Sequence, residues 1–181
     1  MTFRCSTPFV LAVTLLMVST LEAQELSPVD VGSMSRNAFI DAYLTAYENQ
    51  LAWTKTAFSR VQDGFEANVD TDAPLSETER AVPGCLYDAA ETAEEKEMLG
   101  LQLAMTAALA ETFKEDQDVD YVDVAFGDLK DQLGAFDPSP SLVSMMQSCN
   151  VIQVAQGRVK MTPDFWAALE REATERGYVE P

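Results

Sequence analysis

From Arg36 onward, apolar or tolerant residues recur at an alternating spacing of four and three: Ile40, Leu44, Tyr47, Leu51, Thr54, Phe58, Val61 and Phe65. That spacing holds one stripe on one side of an α-helix. It predicts a helix from Arg36 to Asp63, ended by Gly64, with Phe65 folding back onto the last turn. At 1.5 Å per residue such a helix spans roughly 42 Å, the width of a domain. Phe39, Tyr43, Ala46, Gln50, Trp53 and Ala57 repeat the spacing on a second face, about 100° or more from the first. Two apolar faces suit a helix packed between neighbours on both sides. The alternative is that Phe39, Tyr43 and Trp53 form an exposed aromatic face for a partner protein, a second subunit or an apolar ligand.

The same periodicity continues along the chain. A polar connection over 66–84 contains Pro74, Pro83 and Gly84, with room for one helical turn after Ser76, whose spacing to Glu79 is that of a capping box. A second long helix is expected from Cys85 to Lys114, with Leu86, Ala90, Ala93, Met98, Leu101, Met105, Leu109 and Phe113 inward. Its start could instead lie at Thr92, which pairs with Glu95 as a capping box. A third, Val119 to Leu133, carries Val122, Phe126, Leu129 and Leu133, with Phe136 continuing the spacing. A fourth, Ser141 to Gln156, carries Leu142, Met145, Cys149 and Ile152 and stops at Gly157. The fifth opens with Thr162 as cap, Pro163 in the first helical position and Met161 stapled onto Trp166, and ends near Arg176 before Gly177. Runs with strand alternation are missing, so the pattern predicts an all-α fold: an antiparallel bundle of about five helices.

The first residues alter the domain plan. Arg4, the fourteen-residue apolar run from Pro8 to Leu21 and a small-residue site ending at Ala23 read as a secretory signal peptide over 1–23. The run is shorter than the ~20 residues of a membrane-spanning helix. A flexible leader over 24–34 would follow, then one helical-bundle domain over 35–181. The expected location is outside the cytoplasm, in the periplasm.

Export changes how the cysteines are read. Cys5 leaves with the signal, so Cys85 and Cys149 remain as a pair in a compartment that permits disulfides. A bridge between them would close a loop of about 65 residues, for which the chain-entropy model gives roughly 4 kcal/mol. Two cysteines without a single histidine suit neither a zinc site nor an activated thiol.

Charge and motifs exclude more than they identify. Thirty Asp and Glu against twelve Lys and Arg give a net charge of −18. Nucleic acid and anionic membrane surfaces are poor partners for such a chain; another envelope protein, self-association or a cationic partner fits better. The segment from Asn68 to Glu79 partly follows a calcium loop, with Asn68, Asp70, Asp72, Ser76 and Glu79 at ligand positions. It departs from that template at Ala73, where glycine is required, and at Pro74. Asp116, Asp118, Asp120 and Asp123 read as acids favoured at a helix start, the run Glu91 to Glu97 as a solvated helix face, and Met98, Met105, Met145, Met146 and Met161 as core filler rather than copper ligands. No cofactor is implied and no catalytic motif occurs. The expected function is a non-catalytic binding or interaction module of the cell envelope. The alternatives are a small-ligand or calcium-modulated binder using the Asn68–Glu79 loop or a pocket between helices, and an enzyme built on paired carboxylates.

Overall fold

Local capping chemistry sets where the helices begin. In the computed structural model, which describes residues 28–127 and 139–180, Ser35 caps α1 (Arg36–Val61), Ser76 caps α2 (Glu77–Ala89) and Thr92 caps α3 (Ala93–Glu115). Asp120 caps α4 (Tyr121–Phe126), Ser139 caps α5 (Pro140–Ser148) and Thr162 caps α7 (Pro163–Glu175). Only α6 (Val151–Arg158) lacks a side-chain cap; Asn150 precedes it in the left-handed region at φ 58°. At α2, α3 and α4 the third helical residue, Glu79, Glu95 or Asp123, returns a bond to the cap's own N–H and completes a capping box. The far end of α7 closes with a Schellman arrangement: Tyr178 N–H donates to Ala173 O and Gly177 N–H to Thr174 O, with Gly177 at φ 77°.

The described residues are helical, without strands, and the Cys85–Cys149 disulfide is formed with its Cα atoms 5.6 Å apart. The described residues form seven helices rather than five, because two expected helices divide. The second starts early, at Glu77, runs through Pro83 and Gly84, and stops at Ala89; α3 begins afresh after Thr92. Gly84 leaves room for the Arg36 guanidinium that lies over it on the way to Asp88; a Cβ would stand 2.6 Å from one of its nitrogens and push that side chain aside. The fourth divides at Asn150, and the helix after it passes through Gly157 to Arg158. Leu129, Leu133 and Phe136 of the expected third helix lie outside the described residues, as does the signal segment.

Direction follows from these breaks. Arg36 at the start of α1 meets Asp88 at the end of α2, so this pair is antiparallel. The turn at 90–92 sends α3 back, and α1 and α3 run side by side in the same direction: Trp53 stacks on Phe113 and Arg60 reaches the last turn of α3. The two longest helices are therefore a parallel pair, as the first and third helices of an up-down-up succession must be.

Two apolar cores lie along this pair. One gathers Trp53, Phe58, Val61, Leu109, Phe113, Tyr121, Val122, Phe165 and Leu169 from α1, α3, α4 and α7. The other gathers Val31, Phe39, Val82, Leu86, Leu99, Leu142, Met146, Cys149 and Val151 from the leader, α1, α2, α3, α5 and α6. Both apolar faces of α1 are thus used. The alternative, an aromatic face open to solvent, does not hold: Phe39 is fully buried, Trp53 is 5% exposed, and Tyr43 is half-buried against the second core. Trp53 also belongs to a different core from Phe39 and Tyr43, so the three form no continuous patch.

The leader departs from its expectation too. Residues 28–34 are docked, with Asp30 capping a 3-10 turn at Val31–Ser33 and Val31 buried. Val29 N–H donates to Gly100 O at 3.1 Å, where this strap crosses α3. A Cβ on Gly100 would fall 1.9 Å from Val29 O, a backbone atom with no side-chain freedom to yield. Gly100→Ala is therefore expected to displace the strap and cost about 1–3 kcal/mol, even though alanine is the better helix former. Thermal melting together with limited proteolysis across 28–34 measures it, and an unchanged melting temperature would remove the strap from the fold's energetics.

Candidate functional site

The densest polar constellation joins residues far apart in the chain. Glu79, in the first turn of α2, and Arg158, the last residue of α6, are each only 6% exposed and face one another. Arg158 Nε donates to Glu79 Oε1 at 2.5 Å and Nη2 to Oε2 at 2.8 Å, a bidentate fork. The remaining guanidinium hydrogens go to main-chain carbonyls: Nη1 to Ala73 O at 2.8 Å and, at the limit of bonding, Asp70 O at 3.5 Å, and Nη2 to Pro74 O at 2.9 Å. Asp70 adds a carboxylate 3.7 Å from Nη1. Glu79 in turn accepts from Tyr47 Oη at 3.3 Å and from Ser76 N–H at 2.6 Å.

Every donor of the guanidinium thus has an acceptor. An antiparallel bridge between Val69 and Val159 holds the two segments in place, with Asp70 N–H on Arg158 O and Lys160 N–H on Asn68 O, both at 2.9 Å. The guanidinium fork, aided by the Ser76 bonds, holds the Glu79 carboxyl down at about 2, although burial acts the other way. Burial raises the Tyr47 hydroxyl, and the Glu79 charge raises it further. Glu79 stays ionised and Tyr47 neutral across the physiological range, so neither is set to exchange a proton.

This geometry shows what the calcium-like segment is built around. Of its five ligand positions, Glu79 closes on Arg158, and Asp70 accepts the N–H groups of Asp72 and Ala73 in a local turn while facing the same guanidinium. Asp72 lies at the surface beside Lys55, 3.8 Å away, and Ser76 is occupied as the α2 cap. The amide nitrogen of Asn68 is buried without a partner. The cation the loop wraps is the protein's own arginine. No group of three or more acids or cysteines is arranged to hold a metal among the described residues.

Beside the pair, a shallow hollow of about 250 Å³ lies along the α2–α6 seam, lined by Ser76, Thr78, Gln153, Val154 and Gly157 with Glu79 and Arg158 at its floor. Its floor groups are already saturated. Toward Tyr43 and Val82 the seam narrows to a space of about 10 Å³, room for one water at most.

Three further arginines follow the same plan. Arg60 donates to the Phe113, Asp116 and Val119 carbonyls at the end of α3, where the helix dipole favours a cation, and its guanidinium carbon stands 5.5 Å from the Phe113 ring centre. Arg176 pairs with Asp120 and, at 3.2 Å, with Asp123, tying α7 to the start of α4. Two of the helix-start aspartates are thus also an ion-pair anchor. Arg36 holds Asp88 with two bonds of 2.8 Å at the surface. Within the Glu91–Glu97 run, Glu95 is likewise engaged: Ser141 of α5 donates to it, and with the Thr92 bonds this lowers its carboxyl to about 2.

Comparison with known proteins returned no match, either to a family model, to a characterised relative or to a solved structure.

Sequence reasoning missed Arg158 entirely, although a signal exists. From Pro138 to Gly157 the chain carries no charged residue, and Arg158 ends that stretch alone. An isolated cation inside apolar periodicity has to be buried with its partner, or the helix has to end there.

Proposed function

We propose that this chain is an exported, non-catalytic interaction module that binds a cationic partner in the periplasm through its carboxylates. One observation carries the reading: in a chain with thirty acids and twelve cations, several of the cations are tied to internal acceptors while most of the described acids face outward. Arg60 and Arg158 spend their donors on carbonyls and carboxylates inside the molecule, and Arg176 is paired with the buried Asp120. Arg36, Arg80, Lys114, Lys160 and Arg171 remain at the surface, but acids outnumber them there, Asp41, Glu48, Asp63, Glu77, Glu94 and Glu97 among them.

Apolar recognition has little to work with. Among the described residues the large apolar side chains that count as exposed are Val29 at 38% and Tyr178 at 40%. The aromatic residues that sequence pattern offered for docking are packed in the cores. Charge complementarity is the recognition chemistry that remains, and it favours steering and fast association. The disulfide suits an oxidising compartment, and no helix among the described residues is long and apolar enough to cross a membrane.

Carbodiimide cross-linking in intact source cells tests this directly, because the reagent joins carboxylates only to amines already in contact with them. The expected result is a defined adduct with a basic envelope protein, through exposed acids, that disappears at about 0.5 M salt, where screening is short-ranged. Recovery of the chain from the cytosol with its first 23 residues intact, or of no intermolecular adduct, would overturn the proposal.

A further inference from the structure

The geometry points to the Cys85–Cys149 bridge being a redox latch on one of the two cores. The bridge is asymmetric toward solvent: Cys85 lies on the exposed side of α2, whereas Cys149, in the corner between α5 and α6, is 4% exposed. An incoming thiolate must approach along the S–S axis, and it meets the exposed residue, Cys85, before the buried one. Exposed disulfides are the exchangeable ones.

The limb formed by α5 and α6 is held at three points outside its apolar contacts. Ser141 donates to Glu95 at its beginning, Cys149 is bonded to Cys85 at its middle, and Arg158 grips Glu79 at its end. Cutting the middle tie leaves the end pinned by the buried ion pair, so the limb can swing about Arg158. Beneath it lie Val82 and Leu86 of α2, covered by Leu142, Met145 and Met146 of α5.

The chemistry balances with a dithiol reductant. Its thiolate attacks Cys85 Sγ, the Cys85–Cys149 bond breaks, and Cys149 leaves as a thiolate that takes up a proton. The reductant's second thiol then resolves the mixed disulfide, releasing Cys85 as a thiol and the reductant as its own disulfide. Two electrons pass to the protein, and reoxidation restores the latch.

The two cores make this testable, because they report separately. Trp53 belongs to the core shared by α1, α3, α4 and α7, and Trp166 packs against that same core; the latched core contains no tryptophan. Treating the native protein with dithiothreitol at neutral pH is expected to accelerate amide hydrogen exchange across 140–157 by at least tenfold and to raise binding of an apolar dye. Tryptophan emission should stay unchanged. The Cys85→Ser/Cys149→Ser variant should show the same exchange pattern with or without reductant. Three results would overturn the latch: a bridge that resists reduction until the chain is denatured, exchange over 140–157 that is unaffected by reduction, or tryptophan emission shifting in step with loss of helix.

Discussion

Arg158→Leu is expected to lower folding stability by about 3–5 kcal/mol at neutral pH, the cost of leaving a buried charge without its partner. The substitution strands the Glu79 carboxylate and unpairs the Ala73 and Pro74 carbonyls. It should also weaken the pH dependence. In the native chain Glu79 titrates at about 2, against 4.5 for an ordinary glutamate. On acidification the unfolded chain takes up this proton first. The stabilisation is therefore complete above pH 4.5 and is lost as pH falls toward 2. Without Arg158 the largest influence holding the carboxyl down is gone and burial is opposed by the Ser76 bonds alone, so the carboxyl moves up toward its unfolded value and the pH-dependent stabilisation is reduced. The variant's deficit should then be largest at neutral pH and shrink on acidification. Urea titrations at several pH values read both effects. Pairing Arg158→Leu with Glu79→Leu should recover part of the loss, since no unmatched charge remains. A single variant as stable as the parent at neutral pH would show that the pair contributes little.

Phe58→Ala should cost a comparable amount, about 3–5 kcal/mol. Phe58 has no exposed surface; its ring stacks on Phe165 with centres 3.9 Å apart and meets the Tyr121 ring edge-on at 4.8 Å. Phe165 carries the contact onward to Phe65 at 5.2 Å. One side chain thus links α1 to α4, α7 and the turn after α1. Because Trp53 and Trp166 lie in or against this core, guanidinium titration followed by tryptophan emission reports the loss directly. Phe58→Leu, which fills more of the space, should lose markedly less. Equal effects of the two substitutions would mean that the site collapses around the gap.

What could be read from the sequence was the chemistry that acts within one turn. Ser76 with Glu79 and Thr92 with Glu95 announce helix starts because a cap and its partner are three residues apart, and Thr162 does so with Pro163 directly after it; all three are in place. The disulfide was legible by elimination. Pro83 and Gly84 misled, because both normally interrupt helices. Here Pro83 removes a single intrahelical bond inside α2, and Gly84 makes room for Arg36 from another helix, a reason no local window contains. Asn150 hid the break between α5 and α6 because asparagine is also an acceptable helix residue; its left-handed backbone shows only in three dimensions. Glu79 is the instructive case. Its spacing to Ser76 was read as a cap and its place in an acidic loop as a metal ligand, yet its main partner is 79 residues away. Long-range pairing leaves no periodic trace in a single chain.

The division of labour among the cations has a practical outcome for handling the molecule. The structural ties are guanidinium groups, whereas the described lysines are peripheral: Lys114 holds only Glu111 one turn away, and Lys55 reaches Thr71 and Asp72 at the edge of a loop. Amine-directed dyes, biotin esters and resin couplings would therefore decorate the exterior and leave the internal staples intact. Dicarbonyl reagents that consume arginine would dismantle the architecture they were meant to report.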